Sequence, residues 1–478
     1  MVTAPRVHVW RQRDSLCLVA VLLLASTARL AFSFRAPLFV VNDSLSYVLP
    51  AWELIHGEGF FPLFKRPPLY PLLLAKILWL FGEDPQAIAT VQHALGLAIV
   101  ALTFILGFLV AGTLGACVAG ALSAVSGPLI LTEHYLMSET LFSLALLLAV
   151  VTFMLAEKAG SWRLAAASGC LLALAALTRP IAQLVLPLFA VWLLWRYWHD
   201  RQKALRLVTS MIMAFAILVM PWMVRNAIVQ GSFTIAGGMG EGIAVRTIRY
   251  EQQFDFRATD PSESGLIRSA RRIYRDEAGD GSAFELAGRL RDELKITPAT
   301  ADSLMRQIAV EAIRRQPVYY LTGTVGMFWD ILSGRPARLR QDWVPWRGII
   351  WDERIAHLLP RATPLQDADF SNAERVISVY DPARWWPVIL SLALLGVIST
   401  PNGMPRRWPL LLVILTLGQI LAAAALVGIE WRYRYPLDPM INVLVGAGVA
   451  GIASWASLLK SHRWPHRESP SPMRSGLG

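Results

Sequence analysis

The sequence predicts an all-α polytopic membrane protein of about ten transmembrane helices, with an external first loop that carries the polar chemistry and a mixed external insert. Three observations predict it. Of 478 residues, 55% are hydrophobic and only 17% charged, and the mean hydropathy is +0.46. Apolar runs repeatedly approach or pass the ~20 residues needed to cross a bilayer. Lys and Arg gather in alternate short loops, the bias that orients membrane proteins.

The apolar runs cover 15–33, 88–110, 113–131, 138–156, 163–178, 180–197, 205–224, 385–400, 408–427 and 437–459. The first is too long and continuous for a cleaved signal peptide, and no small-residue cleavage site follows it, so it is read as a retained span. Basic residues cluster at Arg6, Arg11 and Arg13, at Lys158 and Arg163, and at Arg196, Arg201, Lys203 and Arg206. They recur at Arg406 and Arg407, and in the tail at Lys460, Arg463, Arg467 and Arg474. Placing all five groups in the cytoplasm requires an even number of spans, which ten satisfies. The expected location is the inner (plasma) membrane, with both termini cytoplasmic. The pI near 9.9 then reflects topology and anionic headgroups rather than nucleic-acid binding.

This divides the chain into a transmembrane core at 1–226 with an external loop at 34–87, an external insert at 227–384, C-terminal transmembrane helices at 385–460 and a disordered tail at 461–478. Within the insert, 317–333 is apolar but short, and Trp343, Trp346 and Trp351 follow it as interface aromatics. An eleventh span there would break the charge parity, so a helix along or dipping into the outer leaflet is expected. The stretch 302–315 places Leu304, Met305, Ile308, Ala309, Ala312 and Ile313 at helical spacing, which predicts an amphipathic helix resting on the membrane core. Gly237, Gly238, Gly240 and Gly242 lack the flanking strand and Lys-Ser/Thr of a phosphate loop. Cys17, Cys117 and Cys170 lie in apolar runs without metal-ligand spacing and read as packing residues.

With the N-terminus inside, four sets of polar residues face one side. They are Asp43, Tyr47, Lys65 and Arg66; Glu133, His134, Ser138 and Glu139; Arg179; and Arg225-Asn226 with Glu430, Arg432, Arg434 and Tyr435. Each residue has an ordinary alternative. Asp43 suits an N-cap, and Glu139 suits the positive end of the fourth span. Arg66, Arg432 and Arg434 suit snorkelling to headgroups. Glu133-His134 offers two metal ligands without a third. External arginines nevertheless run against the positive-inside bias, and a bound phosphate explains their retention. A polyprenyl-phosphate sugar places a monophosphate at that interface. Guanidinium forks match its oxygens, and a carboxylate near the anomeric carbon can take the acceptor proton. Such transfer needs no nucleotide, in keeping with the lack of a Walker-type motif.

The ordered motifs then resemble one family. They are Asp43-x-x-x-Tyr47, Gly57-Glu58-Gly59-Phe60, Arg66-Pro67-Pro68-Leu69-Tyr70-Pro71, Ser138-Glu139-Thr140-Leu141-Phe142, Thr178-Arg179-Pro180, Pro221-Trp222-x-x-Arg225-Asn226 and Arg432-Tyr433-Arg434-Tyr435-Pro436. Over roughly 400 residues this order is similar to the GT-C glycosyltransferases of the glycosyltransferase 39-like group, which includes protein O-mannosyltransferases and the aminoarabinose transferase of lipid A. The resemblance implies an inverting, polyprenyl-phosphate-sugar-dependent transferase with Asp43 as its catalytic base. It implies a second acidic position at Glu139, taken with Asp43 as a catalytic candidate, and a phosphate contact at Arg66. Lys65, Arg179, Arg225, Arg432 and Arg434 are the further phosphate candidates, and Tyr47, Tyr70, Glu133, His134 and Tyr435 the substrate candidates. Some relatives carry an acidic residue where this chain has Lys65, which favours an enzyme without metal or other cofactor. The acceptor, whether protein, lipid or glycan, is left open. A lipid-carrier polymerase or ligase, or a secondary transporter, is the alternative class. The transporter sits less well with charges gathered at span ends rather than mid-membrane.

Overall fold

Backbone polar groups in lipid must be satisfied within the chain, so unbroken apolar runs become helices. The computed structural model describes residues 10–40, 43–62, 64–249, 254–257, 264–280, 285–334, 353–360, 363–364, 375–399, 405, 407–428 and 431–463. All ten predicted runs are helical over most of their length. Helix α1 (Gln12–Ser33) is followed by β1 (Phe39–Val40), α2 (Leu45–Ile55) and α3 (Leu69–Phe81). Asp84 caps α4 (Pro85–Ala124), its carboxylate accepting from the Gln86 N–H at 3.0 Å. Then come α5 (Gly127–Thr132), α6 (Glu139–Ala159), α7 (Trp162–Thr178), a 3-10 turn (Pro180–Leu184), α8 (Val185–Arg196) and α9 (Arg201–Gln230). Six described helices are long and apolar enough to cross a membrane: Gln12–Ser33, Pro85–Ala124, Glu139–Ala159, Arg201–Gln230, Arg407–Leu426 and Tyr435–Ser457. The predicted runs at 163–178, 180–197 and 385–400 form shorter apolar helices.

Two predicted runs, 88–110 and 113–131, meet inside α4. Gly112 there has φ 72° and ψ −167°, a conformation open only to glycine. A Cβ placed on Gly107 would lie 2.9 Å from the Cα of Ala116. Nine residues of straight helix would separate them by about 13 Å, so the chain folds back at Gly112. Gly112→Ala is expected to lower stability by about 1–3 kcal/mol, measurable as reduced thermal stability in detergent micelles. The second run is interrupted between α4 and α5, where Gly127 meets another segment. Its N–H donates to the Tyr380 carbonyl at 3.0 Å, and a Cβ there would sit 1.8 Å from the Ile377 carbonyl oxygen.

After the insert, α16 (Trp386–Ile398), α17 (Arg407–Leu426) and α18 (Asp438–Arg463) complete the bundle, with 3-10 turns at Trp431–Tyr433 and Tyr435–Leu437 before α18. One large apolar core joins α4, α6, α7, α8, α9, α17 and α18. Small residues let backbones approach where lipid supplies no hydrophobic drive. A Cβ on Gly446 would fall 2.4 Å from the Gly115 carbonyl oxygen, so α18 packs directly on α4. At one end of the bundle, the buried Glu157 accepts from Arg196 Nε at 3.0 Å, Arg407 Nε at 2.6 Å and Trp408 Nε1 at 2.6 Å. The basic loops at 157–163 and 196–206 and Arg407 at the start of α17 therefore share that end.

The described part of the insert is almost wholly helical: α10 (Met239–Arg249), α11 (Gly265–Asp280), α12 (Leu286–Leu294), α13 (Pro298–Arg315), α14 (Pro317–Ser333) and α15 (Glu353–Leu358). Its strand β2 (Thr363–Pro364) pairs in parallel with β1. The amphipathic helix expected at 302–315 is α13, but it does not rest on the membrane core. Leu304, Met305 and Ile308 bury into a separate cluster with Ile243 of α10, Tyr274 of α11 and Leu290 of α12. Arg246 Nε donating to the Ala424 carbonyl at 3.0 Å, and the Tyr320 hydroxyl donating to that of Ala425 at 2.7 Å, fasten this cluster to α17. Helix α14 packs against α17, and Val318, Leu321, Val325 and Trp329 form an exposed apolar stripe on its other face. Asn42, Trp343, Trp346, Trp351, Arg406, Glu430 and the tail from 464 lie outside the described residues.

Candidate active site

A cavity of about 1170 Å³ opens where the loop after α1, the 3-10 turns at 180–184 and 431–433 and the insert helices α10 and α13 meet. Its polar wall is Asp43, Lys65, Arg66, Arg179 and Arg432, joined by Glu241, Asp302 and Arg306 from the insert. Ile181, Leu184, Met223, Phe233, Val245 and Leu426 supply an apolar flank. Five of the residues singled out from sequence thus converge on one hollow, although Asp43 and Arg432 are 389 positions apart.

Asp43 sits at the entry to α2, and its side chain is 26% exposed, enough to be reached from the cavity. One oxygen accepts from Arg66 Nη2 at 2.5 Å and the other from Arg432 Nη1 at 2.7 Å. Burial by itself raises a carboxyl pKa. Here the charges of Arg66 and Arg432, reinforced by Lys65, outweigh it and hold Asp43 well below the usual carboxylate range. Arg66 also donates through Nε to Ser46 Oγ at 2.7 Å and through Nη1 to the Tyr47 hydroxyl at 3.0 Å. Its guanidinium lies 4.4 Å from the Tyr47 ring centre. Tyr47 reaches Ser138 Oγ at 3.2 Å and meets Tyr70 edge-on. Tyr70 donates to Gln92, and Gln92 donates to the carbonyls of Glu133 and Tyr135. A chain of hydrogen bonds, joined by the edge-on contact of Tyr47 with Tyr70, therefore runs from the Arg66 guanidinium to the backbone between α5 and α6.

Glu139 opens α6, where the helix dipole favours an anion. It is 2% exposed and lies behind the cavity wall rather than on it. Its Oε1 is ion-paired with Arg179 Nη1 and stands 4.0 Å from Arg432 Nε. The rings of Phe142 and Tyr433 flank the Arg179 guanidinium at 6.0 and 5.7 Å. Lys65 pairs with Glu241 at 2.8 Å, and the Gly237 N–H donates to the Phe64 carbonyl at 2.8 Å. The Gly-rich segment thus docks the insert onto the loop. A Cβ on Gly237 would strike the Phe64 ring at 1.8 Å. Asp302, which accepts from the Glu241 N–H at 3.1 Å, has its pKa raised by burial.

Other candidates are not brought to this cavity. Arg225 lies over Trp222 and donates to the Phe60 carbonyl at 3.4 Å, holding the Gly59-Phe60 loop. Arg434 is buried, pairs with Asp438 at 2.9 Å and stacks over Trp386. Tyr435 is buried beside it. Glu133 and His134 belong to a distinct buried network, in which Glu133 accepts from Arg29 at 2.7 Å and meets His93 Nδ1 at 2.6 Å. His93 Nε2 meets His134 Nε2 at 2.7 Å, and His134 Nδ1 meets the Pro37 carbonyl at 3.0 Å. Burial, then the neighbouring His93, lowers the His134 pKa to about 4, so its imidazole is neutral at pH 7. Among the described residues, no three His, Cys, Asp or Glu side chains are arranged to hold a metal ion. Sequence reasoning did not single out Ser46, Glu241, Asp302 or Arg306. Ser46 lies within the Asp43-x-x-x-Tyr47 motif, whereas the three insert residues carry no local signal.

Residues 65–224 match the dolichyl-phosphate-mannose-protein mannosyltransferase family. Among solved structures, the chain is similar to the oligosaccharyltransferase of Archaeoglobus fulgidus, crystallised with a tethered acceptor peptide. The TM-score is 0.50 and the identity 12%, over 95% of this chain and 51% of that one. This chain therefore spans about half the length of that enzyme. It is also similar, with a TM-score of 0.37 and 14% identity, to ArnT from Cupriavidus metallidurans bound to undecaprenyl phosphate, over 95% of this chain and 81% of that one. No curated protein sequence matches the chain. The family match covers 65–224, a part of the bundle, and the solved structure shows that nearly the whole chain shares a fold with that oligosaccharyltransferase.

Proposed function

We propose that this protein transfers a sugar from a polyprenyl-phosphate donor to an acceptor on the external face of the inner membrane. One observation carries the reading: Asp43 faces the cavity between two guanidiniums, with a third, Arg179, on the same wall. The donor's monophosphate docks on Arg179 and Arg432, whose planar forks suit its oxygens. Its isoprenoid tail leaves along the apolar flank. An acceptor hydroxyl loses its proton to Asp43 while its oxygen bonds to the anomeric carbon. The anomeric carbon–phosphate oxygen bond breaks, and the electron pair departs with the polyprenyl phosphate. Attack from the face opposite the phosphate, in one displacement, inverts the anomeric centre. No nucleotide and no added cofactor enters this scheme.

Electrostatics couple the two halves of the reaction. While Arg66 and Arg432 both press on Asp43, the carboxylate is a weak base. A bound phosphate shares the charge of Arg432, and Asp43 becomes more basic once donor is present. The test is to incubate purified protein with a panel of radiolabelled polyprenyl-phosphate sugars. At least one sugar should be released from its lipid by wild-type protein and by no Asp43→Asn sample. Donor moved across proteoliposome membranes without cleavage would instead establish transport.

A further inference from the structure

The resemblance assigned Arg66 to the donor phosphate, but its contacts point elsewhere. All three guanidinium nitrogens of Arg66 are committed to protein acceptors, and all three acceptors lie within five residues of one another. Nη2 holds Asp43, Nε holds Ser46 Oγ and Nη1 holds the Tyr47 hydroxyl. Tyr47 is itself fixed by Ser138 and by the edge of Tyr70, which Gln92 anchors to backbone carbonyls. A group meant to follow a phosphate through binding and release has no need of such a frame. A group meant to fix the orientation of one carboxylate does. Two of the other cavity guanidiniums, Arg179 and Arg432, are held differently. Arg179 and Arg432 share the single carboxylate of Glu139 behind them, and aromatic rings rather than hydroxyls flank Arg179.

We infer that Arg66 is a positioning residue for Asp43, fixing one carboxylate oxygen so that the oxygen held by Arg432 is the one offered to the acceptor hydroxyl, while Arg179 and Arg432 bear the phosphate. The assignment rests on the donor reading above and adds a division of labour within it. The charged groups facing Asp43 are Arg66 and Lys65 from the loop before α3 and Arg432 from the 3-10 turn before α18. Glu139 and Arg179 stand behind Arg432. Removing the Arg66 charge leaves Asp43 easier to protonate, so the acid limb of the rate profile moves to higher pH. A phosphate ligand at this position predicts instead a loss of donor affinity with Asp43 undisturbed.

The test compares Arg66→Lys, Arg66→Gln and Arg179→Ala in two measurements. These are equilibrium binding of undecaprenyl phosphate as the probe, and turnover of the donor found by the panel above. Arg66→Lys and Arg66→Gln should bind the probe within about threefold of wild type and lose about a hundredfold or more in kcat. The lysine should not rescue kcat, because one ammonium cannot span the three acceptors. The acid limb of kcat should rise in pH in Arg66→Gln. Arg179→Ala should weaken probe binding about tenfold or more. If both Arg66 variants weaken probe binding as far as Arg179→Ala and turn over normally at saturating donor, Arg66 is a phosphate ligand and the assignment falls. Failure of wild-type protein to bind the probe overturns the donor reading as well, which separates the two failures.

Discussion

Replacing Asp43 by Asn is expected to reduce sugar transfer by about a thousandfold or more, the scale of a lost general base. The same change should leave the site able to bind undecaprenyl phosphate more tightly than wild type. Asparagine has nearly the shape of aspartate but cannot take up the acceptor proton, so chemistry stops. The tighter binding follows from charge. Asp43 is the counter-ion of both Arg66 and Arg432, and under the proposed mechanism it competes with the lipid phosphate for Arg432. Without that carboxylate, the guanidinium is drawn to the phosphate with no rival. A variant defective merely through misfolding would lose binding and turnover together. Turnover by Asp43→Asn at the wild-type rate would sink the mechanism outright.

The pH dependence of stability has a sign that can be worked out from the same pairing. The folded-state pKa of Asp43 is depressed, so its contribution is present above the unfolded carboxyl value of about 3.9 and fades as pH falls below it. Asp43 is therefore a source of acid sensitivity and of none at neutral or alkaline pH.

Much of this was legible because membrane spans and interfacial charge leave strong local signals. Unbroken apolar runs located the helices, and arginines beside a lone aspartate pointed to residues that line one cavity. The convergence of Asp43, Arg66, Arg179 and Arg432 follows from placing span ends on one side. What sequence spacing could not resolve was direction within a turn. Arg432 and Arg434 are two residues apart and read alike. The 3-10 turn at Trp431–Tyr433 leaves Arg432 on the cavity wall, whereas Arg434 starts the next turn and pairs with Asp438 four residues on. Arg225 has a cationic side chain on the same face, but Trp222 and the Phe60 carbonyl occupy it. The Glu133-His134 pair was read without its partners, since Arg29 and His93 come from α1 and α4 and no local spacing links them. For 302–315, periodicity showed which face is buried but not what buries it. The same limit hid Glu241, Asp302 and Arg306, whose place on the cavity wall depends on how the insert folds back over the loop.

Glu139 is the second residue where a large effect is expected, through a different route. The family resemblance makes it an acidic position of the site, yet its carboxylate is buried behind Arg179 and Arg432 and is not on the cavity wall. Under the proposed mechanism it acts only through those arginines. Glu139→Gln keeps the volume and removes the charge that two guanidiniums face. Breaking a buried ion pair from one side costs about 3–5 kcal/mol, because the remaining charge is left uncompensated. A clear drop in thermal stability in detergent should accompany a ten- to hundredfold fall in kcat/KM as Arg179 and Arg432 lose their setting. The acid limb of the pH–rate profile should stay near its wild-type position, since Arg66 and Lys65 still face Asp43. A proton-transferring Glu139 would give the opposite pattern: nearly normal melting, a loss as deep as that of Asp43→Asn, and a displaced or missing limb. The two outcomes separate a carboxylate that aims the phosphate clamp from one that handles the proton.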